Sequence, residues 1–245
     1  MKKNVLILFV LIYSVSLNAQ KLGIEVLKRN YNYVISDTLT NIHIQFTLKN
    51  LSSENLVIVL DATEIGQYYE EKEYLFEVDA EKTGIQQNVF SPRAIFYEEG
   101  NSKPMFFDKT YDSPYYIDVK EAGKDFLNKI DLHIQKVKNY GKIYFPKKPF
   151  YFVDRAMYIN NNLIILKPNE ERKFELKFDP MQYKVGTYGF LLIKNKRYDF
   201  YLKIHNDKKT IMKHLTKENL QEIKCTKSKF LTGEIYSEKL ILVTE

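Results

Sequence analysis

The sequence predicts a mainly β chain: an antiparallel β-sandwich interrupted by a partly helical insertion. Three stretches carry that reading. Ile42, Ile44, Phe46 and Leu48 alternate with His43, Gln45 and Thr47, the period of a strand with one buried face. Residues 163–193 read as strand, turn, strand, loop, strand. In them Pro168-Asn169 stops the apolar run Leu163–Leu166, and Phe174, Leu176 and Phe178 alternate with Glu175 and Lys177. Tyr198, Phe200, Leu202 and Ile204 then alternate with Asp199, Tyr201 and Lys203. A hydrophobic content of 44% is ample for a core and excludes a disordered chain.

In chain order, the first signal is a leader. Lys2 and Lys3 precede the apolar run Val5–Val15, and Ala19 offers a small residue at a cut. That is the layout of a secretory signal peptide over residues 1–19. The run is too short to span a bilayer, and no later stretch is long and apolar enough, so no transmembrane segment is expected in the mature chain. The protein is expected to be exported, to a periplasm, cell surface or medium. The net charge of +6 includes the two leader lysines, and the remaining lysines are interleaved with acids, so no nucleic-acid footprint is expected.

Residues 20–245 show no repeat and no flexible linker, which predicts one domain. Leu22–Leu27 reads as a first strand. Residues 38–51 and Leu56–Leu60, joined by a polar turn, read as a hairpin whose second strand is buried on both faces. Glu73–Val78 reads as a further strand, and Gly84 as a turn. Residues 80–160, rich in proline and paired aromatics, read as an ordered insertion, since a structureless loop of that length is unusual in a compact domain. Within it, residues 118–140 fit a helix. Asp118 and Glu121 have capping-box spacing, Phe126, Ile130, Ile134 and Val137 share a face, and Gly141 is placed as the stop. Thr216 caps a short helix to Lys224 with Leu220 and Ile223 inward, and residues 233–243 form a closing strand.

Leu166-x-Pro168-x-Glu170, Phe174-x-Leu176-x-Phe178 and Gly186-x-Tyr188 together resemble the later strands of bacterial exported immunoglobulin-like β-sandwich proteins. The terminal Gly233-x-Ile235-x-Ser237-x-x-Leu240-x-Leu242 is similar to their last strand. The resemblance covers the two ends of the chain and skips the middle, and no Cys-Trp-Cys core is present. It implies a structural role for Gly186 and Tyr188, the latter as a tyrosine corner that ties a loop to the start of a strand. It implies no activity, because the fold hosts many.

No chemical motif stands out. His43, His133, His205 and His214 lack metal-ligand spacing and are expected on the surface; no cofactor or metal is expected. The lone Cys225 is expected as a partly buried free thiol between strands. Gly-x-Ser-x-Gly and Gly-rich phosphate loops are absent. Tyrosines in probable loops remain: Tyr68, Tyr69, Tyr115, Tyr116 and Tyr151 are the candidate ligand contacts, since tyrosine supplies rigid amphipathic contact area. The expectation is a non-enzymatic binding module for a protein or glycan of the cell envelope. Its alternatives are a hydrolase, or an accessory to one, with a site in the insertion, and a structural component of an envelope assembly.

Overall fold

A computed structural model of the chain describes residues 21–35, 41–63, 65, 90–105, 108–109, 124–181 and 188–245. The strand expected at Glu73–Val78, the turn at Gly84 and the expected helix start at Asp118 lie outside these residues. Among the described residues the chain is β-rich, with helices gathered in its second half.

The alternating stretches become strands as expected. β1 (Leu22–Val26), β3 (Ile42–Asn50) and β8 (Glu171–Phe178) form an antiparallel sheet in the order β1-β3-β8. A second sheet is built around β10 (Arg197–Asn206), whose Tyr198, Phe200, Leu202 and Ile204 are all buried. β5 (Arg93–Glu98) pairs along one side of β10. β12 (Gly233–Tyr236) and β13 (Leu240–Thr244) share the other side. The expected closing strand is therefore broken at residues 237–239. Ser237 bridges the break: its N–H donates to the Leu202 carbonyl (2.8 Å) and its hydroxyl accepts from the Leu202 N–H (3.0 Å). β2 (Asn30–Tyr33) completes this sheet, parallel to β13.

A third sheet has the order β11-β4-β7, with β11 (Lys229–Phe230) parallel to β4 (Leu56–Val59) and β7 (Leu163–Leu166) antiparallel to it. A two-residue pair joins β6 (Asp108–Lys109) to β9 (Tyr188–Gly189). The two parallel pairings correct the all-antiparallel expectation.

The hairpin expected of residues 38–60 does not form. β3 pairs with β8 in one sheet, and β4 pairs with β7 in another. Residues 42–59 and 163–178 instead make one long antiparallel ribbon that turns a corner at Asn50. The Asn50 side chain is fully buried there. It donates to the carbonyls of Glu54 (2.7 Å) and Leu166 (3.0 Å) and accepts from the Ser52 N–H (2.9 Å). Backbone groups left unpaired at such a bend would each cost about 1–3 kcal/mol, which this carboxamide removes.

β4 lies between two cores. Leu56 and Ile58 face the main core shared by the three sheets; Val57 and Val59 face a smaller core with Ile159, Ile211, Leu215 and Ile223. That is why its four residues carry no polar face. Asn206 ties the two strand systems: its side chain accepts from the Val59 N–H (2.7 Å) and donates to the Val59 carbonyl (3.0 Å), as a neighbouring peptide unit would. β5, although inside the expected insertion, adds Ala94 and Phe96 to the main core, with Phe96 stacked on Phe200 at 4.8 Å.

The four described helices are α1 (Lys124–Tyr144), α2 (Phe150–Asn161), α3 (Lys208–His214) and α4 (Lys217–Cys225); α2, α3 and α4 contribute to the smaller core, and α1 packs on α2. α4 is as expected, with the Thr216 hydroxyl accepting from the Asn219 N–H at 3.2 Å. α1 runs through Gly141, which is not a stop. A Cβ at Gly141 would lie 3.1 and 3.2 Å from the two Val153 methyls, so glycine is there for the close approach of α1 to α2.

Three further expectations are corrected. Residues 190–193 form no strand, although Phe190 and Leu192 are buried and Leu191 and Ile193 exposed. Cys225 is exposed at the end of α4 rather than between strands. His214 is buried, not a surface residue. A tyrosine tie does exist at the head of β10, where the Ile193 N–H donates to the Tyr198 hydroxyl at 2.7 Å. The Tyr188 side chain and Gly186, where such a tie was expected, lie outside the described residues.

Candidate functional site

The helical layer carries an open groove of about 250 Å³ between the start of α2 and the end of α3. Its walls follow from local sequence. Pro149 stands at the N-cap of α2 in an extended conformation (φ −67°, ψ 161°), which suits proline ahead of a first helical turn. Proline brings no capping side chain, and the first turn of α2 contains no acid. The positive end of the helix dipole is therefore not offset there. α2 then places Tyr151, Phe152 and Arg155 on the groove, with Lys148 just before it.

The far wall is α3. Asp207 starts it, accepting from the N–H groups of Lys209 (3.3 Å) and Thr210 (2.8 Å). The Thr210 hydroxyl also donates to Asp207 (2.6 Å), and this bond, ahead of the two amides, holds the carboxyl below its ordinary value against the opposing effect of partial burial. Lys213 and His214 end the helix and line the groove. The Thr210 carbonyl accepts from His214 Nδ1 at 2.7 Å, which places a proton on that nitrogen.

Asn160 fixes the two walls relative to one another. Its Nδ2 donates to the His214 carbonyl (2.8 Å), and its Oδ1 accepts from the Thr216 N–H (3.0 Å) and from Asn219 Nδ2 (2.8 Å). Phe152 lies against the His214 ring at 4.5 Å, and Lys148 Nζ sits 4.9 Å from the Phe152 ring centre. The outcome is a floor of two buried rings, Phe152 and His214, tilted against one another, with Lys148, Arg155 and Lys213 around it and Tyr151 on the rim with 41% of its surface exposed. Among the described residues none of the lining is acidic. Such a site can hold a negatively charged group beside a ring face.

Of the tyrosines expected to bind, Tyr151 is the one whose placement is described, and it lies on this groove. Tyr68, Tyr69, Tyr115 and Tyr116 lie outside the described residues. The expectation placed Tyr151 in or near a loop; it is in the first turn of a helix. Lys148, Arg155, Lys213 and His214 were missed. Nothing in the local sequence brings Lys213 and His214 to Lys148 and Arg155.

Three other polar contacts among the described residues lie away from the groove. His133 Nε2 and Asp154 Oδ1 are 2.9 Å apart where α1 meets α2, with Asp154 buried. Burial acts to raise the Glu234 carboxyl, but hydrogen bonds from Lys203 and Tyr236 together with the lysine charge hold it below its ordinary value. The buried Tyr33 hydroxyl donates to Asp179 at 2.6 Å; desolvation, and then that carboxylate, push its pKa far up, so it stays protonated. Among the described residues no group of His, Cys, Asp or Glu is arranged to hold a metal ion, and no helix is long and apolar enough to cross a membrane.

In comparisons with known proteins, no family model, no curated protein and no solved structure matches this chain.

Proposed function

We propose that the chain is an exported, immunoglobulin-like β-sandwich protein that acts as a non-enzymatic binding module of the cell envelope, and that its contact surface is the groove at Tyr151. One observation carries the reading: the tyrosine picked out for contact stands half-exposed on the rim of a groove whose lining includes three cations. A basic leader followed by an apolar run supports export. The two-sided main core and the tyrosine tie at β10 support the sandwich assignment.

The reading is tested on the native protein. Cell fractionation should recover the chain outside the cytoplasm, beginning at Gln20. Gentle cross-linking of the envelope should then recover a stoichiometric partner with the wild type and much less of it with Tyr151→Ala. Equal recovery with the variant would move the contact surface elsewhere, and a cytoplasmic, full-length chain would end the export proposal.

A further inference from the structure

We propose that the groove between α2 and α3 takes an acidic sugar unit of a polyanionic glycan, a ring bearing a carboxylate, sulfate or phosphate group. The inference rests on the binding-module reading and names its ligand class.

The charge sets the ligand's sign. Lys148 and Lys213 come from two separate stretches of chain and face one groove, and among the described residues none of its lining is acidic. The uncapped, acid-free first turn of α2 adds to the same potential. Lys148 and Lys213 are both exposed, so their ammonium groups reach a ligand without burying charge.

The shape sets the ligand's size. At about 250 Å³, the groove is smaller than the roughly 300–1,000 Å³ of pockets that enclose a drug-sized molecule. It suits one unit of a longer chain that continues into solvent at either side.

The exposed ring sets the ligand's class. A sugar offers an apolar C–H face, and Tyr151 offers aromatic surface beside the cations, while Phe152 is buried beneath them. A peptide is the poorer fit. Peptides dock by adding a strand to a sheet edge or by laying an apolar helix face into an apolar groove. This groove is bounded by helix ends, has no strand in its lining, and is cationic.

The test uses the mature full chain and four probes: polygalacturonate, heparin, neutral dextran and poly-glutamate, measured by calorimetry at low salt and at physiological ionic strength. Polygalacturonate or heparin should bind, with affinity falling as salt rises, and dextran should not. Lys148→Glu and Lys213→Glu should each weaken that binding about tenfold or more, as expected when a charge-assisted contact is lost. Both side chains are exposed, so the variants should keep the wild-type circular dichroism and melting temperature. Tyr151→Ala should weaken the glycan and leave any poly-glutamate binding unchanged. Dextran binding as well as the polyanions, or charge reversals without effect, would overturn the inference. So would poly-glutamate binding as tightly as the glycans, which would mark an acidic protein surface as the ligand. If no polyanion binds but the envelope partner is still recovered through Tyr151, the sugar assignment falls and the binding module stands. If neither is seen, both fall.

Discussion

Asp207 shows how much one carboxylate does at the edge of the groove. It accepts hydrogen bonds from Thr210 Oγ1 and from the amides of Lys209 and Thr210, and so starts the helix that delivers Lys213 and His214. Those bonds, the hydroxyl first, hold its pKa below the ordinary value. The sign of the pH dependence follows. A carboxyl depressed in the folded state contributes stability above its unfolded pKa of about 3.9, and that contribution is lost as pH falls through the lower folded value. Replacing an N-cap aspartate by alanine costs about 0.5–2 kcal/mol. Asp207→Ala is therefore expected to be about 1 kcal/mol less stable than wild type near neutral pH, with the gap closing as urea titrations are repeated from pH 4 downwards. Asp207→Ser, a cap without charge, should show a smaller deficit near neutral pH, and that deficit too should close as pH falls, because only the wild type loses an ionised contribution. A gap that persists unchanged into strong acid would mean that the side chain acts by packing rather than by its ionised hydrogen bonds.

At the scale of elements, helix packing decides what Gly141 means. Alone in sequence it reads as a helix stop, but α1 continues to Tyr144 and Gly141 lies against Val153 of α2. Gly141→Ala sets two effects against each other. Helix propensity gains about 1 kcal/mol. Overpacking a buried contact costs about 1–3 kcal/mol. With both Val153 methyls inside 3.3 Å of the new carbon and Val153 itself buried, packing should win, and the variant should lose stability by up to about 2 kcal/mol. Val153→Ala also destabilises, by removing buried methyls. The double variant should lose less than the sum of the two, with a coupling of about 0.5–3 kcal/mol, because each change accommodates the other. Strict additivity in chemical denaturation would show that the two residues do not press on one another. The same distinction separates what was legible in the sequence from what was not. β3, β8, β10 and α4 were readable because their signal is local: alternation, or a threonine cap with inward Leu220 and Ile223. α2 was not read because Pro149 and the Phe-Tyr-Phe run resemble a loop. Its helical signal, Phe152, Ala156 and Ile159 at steps of four and three, lies just beyond them.

At the scale of the molecule, pairing partners were the illegible part. Nothing within residues 38–60 tells β3 to pair with β8 and β4 with β7, because the partners lie more than a hundred residues away. The groove is hidden in the same way: Tyr151 is legible as an aromatic, but Lys213 is brought to it by tertiary contacts, the Asn160 bridge to the α3–α4 turn and the packing of Phe152 on His214. This long-range wiring has a consequence for how the protein unfolds. Val57 and Val59 on one face of β4 belong to the helical core, and Leu56 and Ile58 on the other face belong to the main core. Asn206 binds both backbone groups of Val59 from the end of β10. Removing the helices would expose Val57 and Val59, and dissolving the main sheets would leave β4 without β10. Either loss costs several kcal/mol of buried apolar surface, comparable to the whole stability of a domain. The sheets and the helical layer are therefore expected to melt as one unit. The helical signal at 222 nm and the near-ultraviolet dichroism of the tyrosines should give coincident thermal transitions, and Val59→Ala should shift both downwards together. The chain has 19 tyrosines and no tryptophan, so the near-ultraviolet band reports the tyrosine-bearing packing of both cores. A helical signal lost at lower temperature than the tyrosine signal, in wild type or in Val59→Ala, would show that the layer carrying the groove is a separately folding cover rather than part of one cooperative structure.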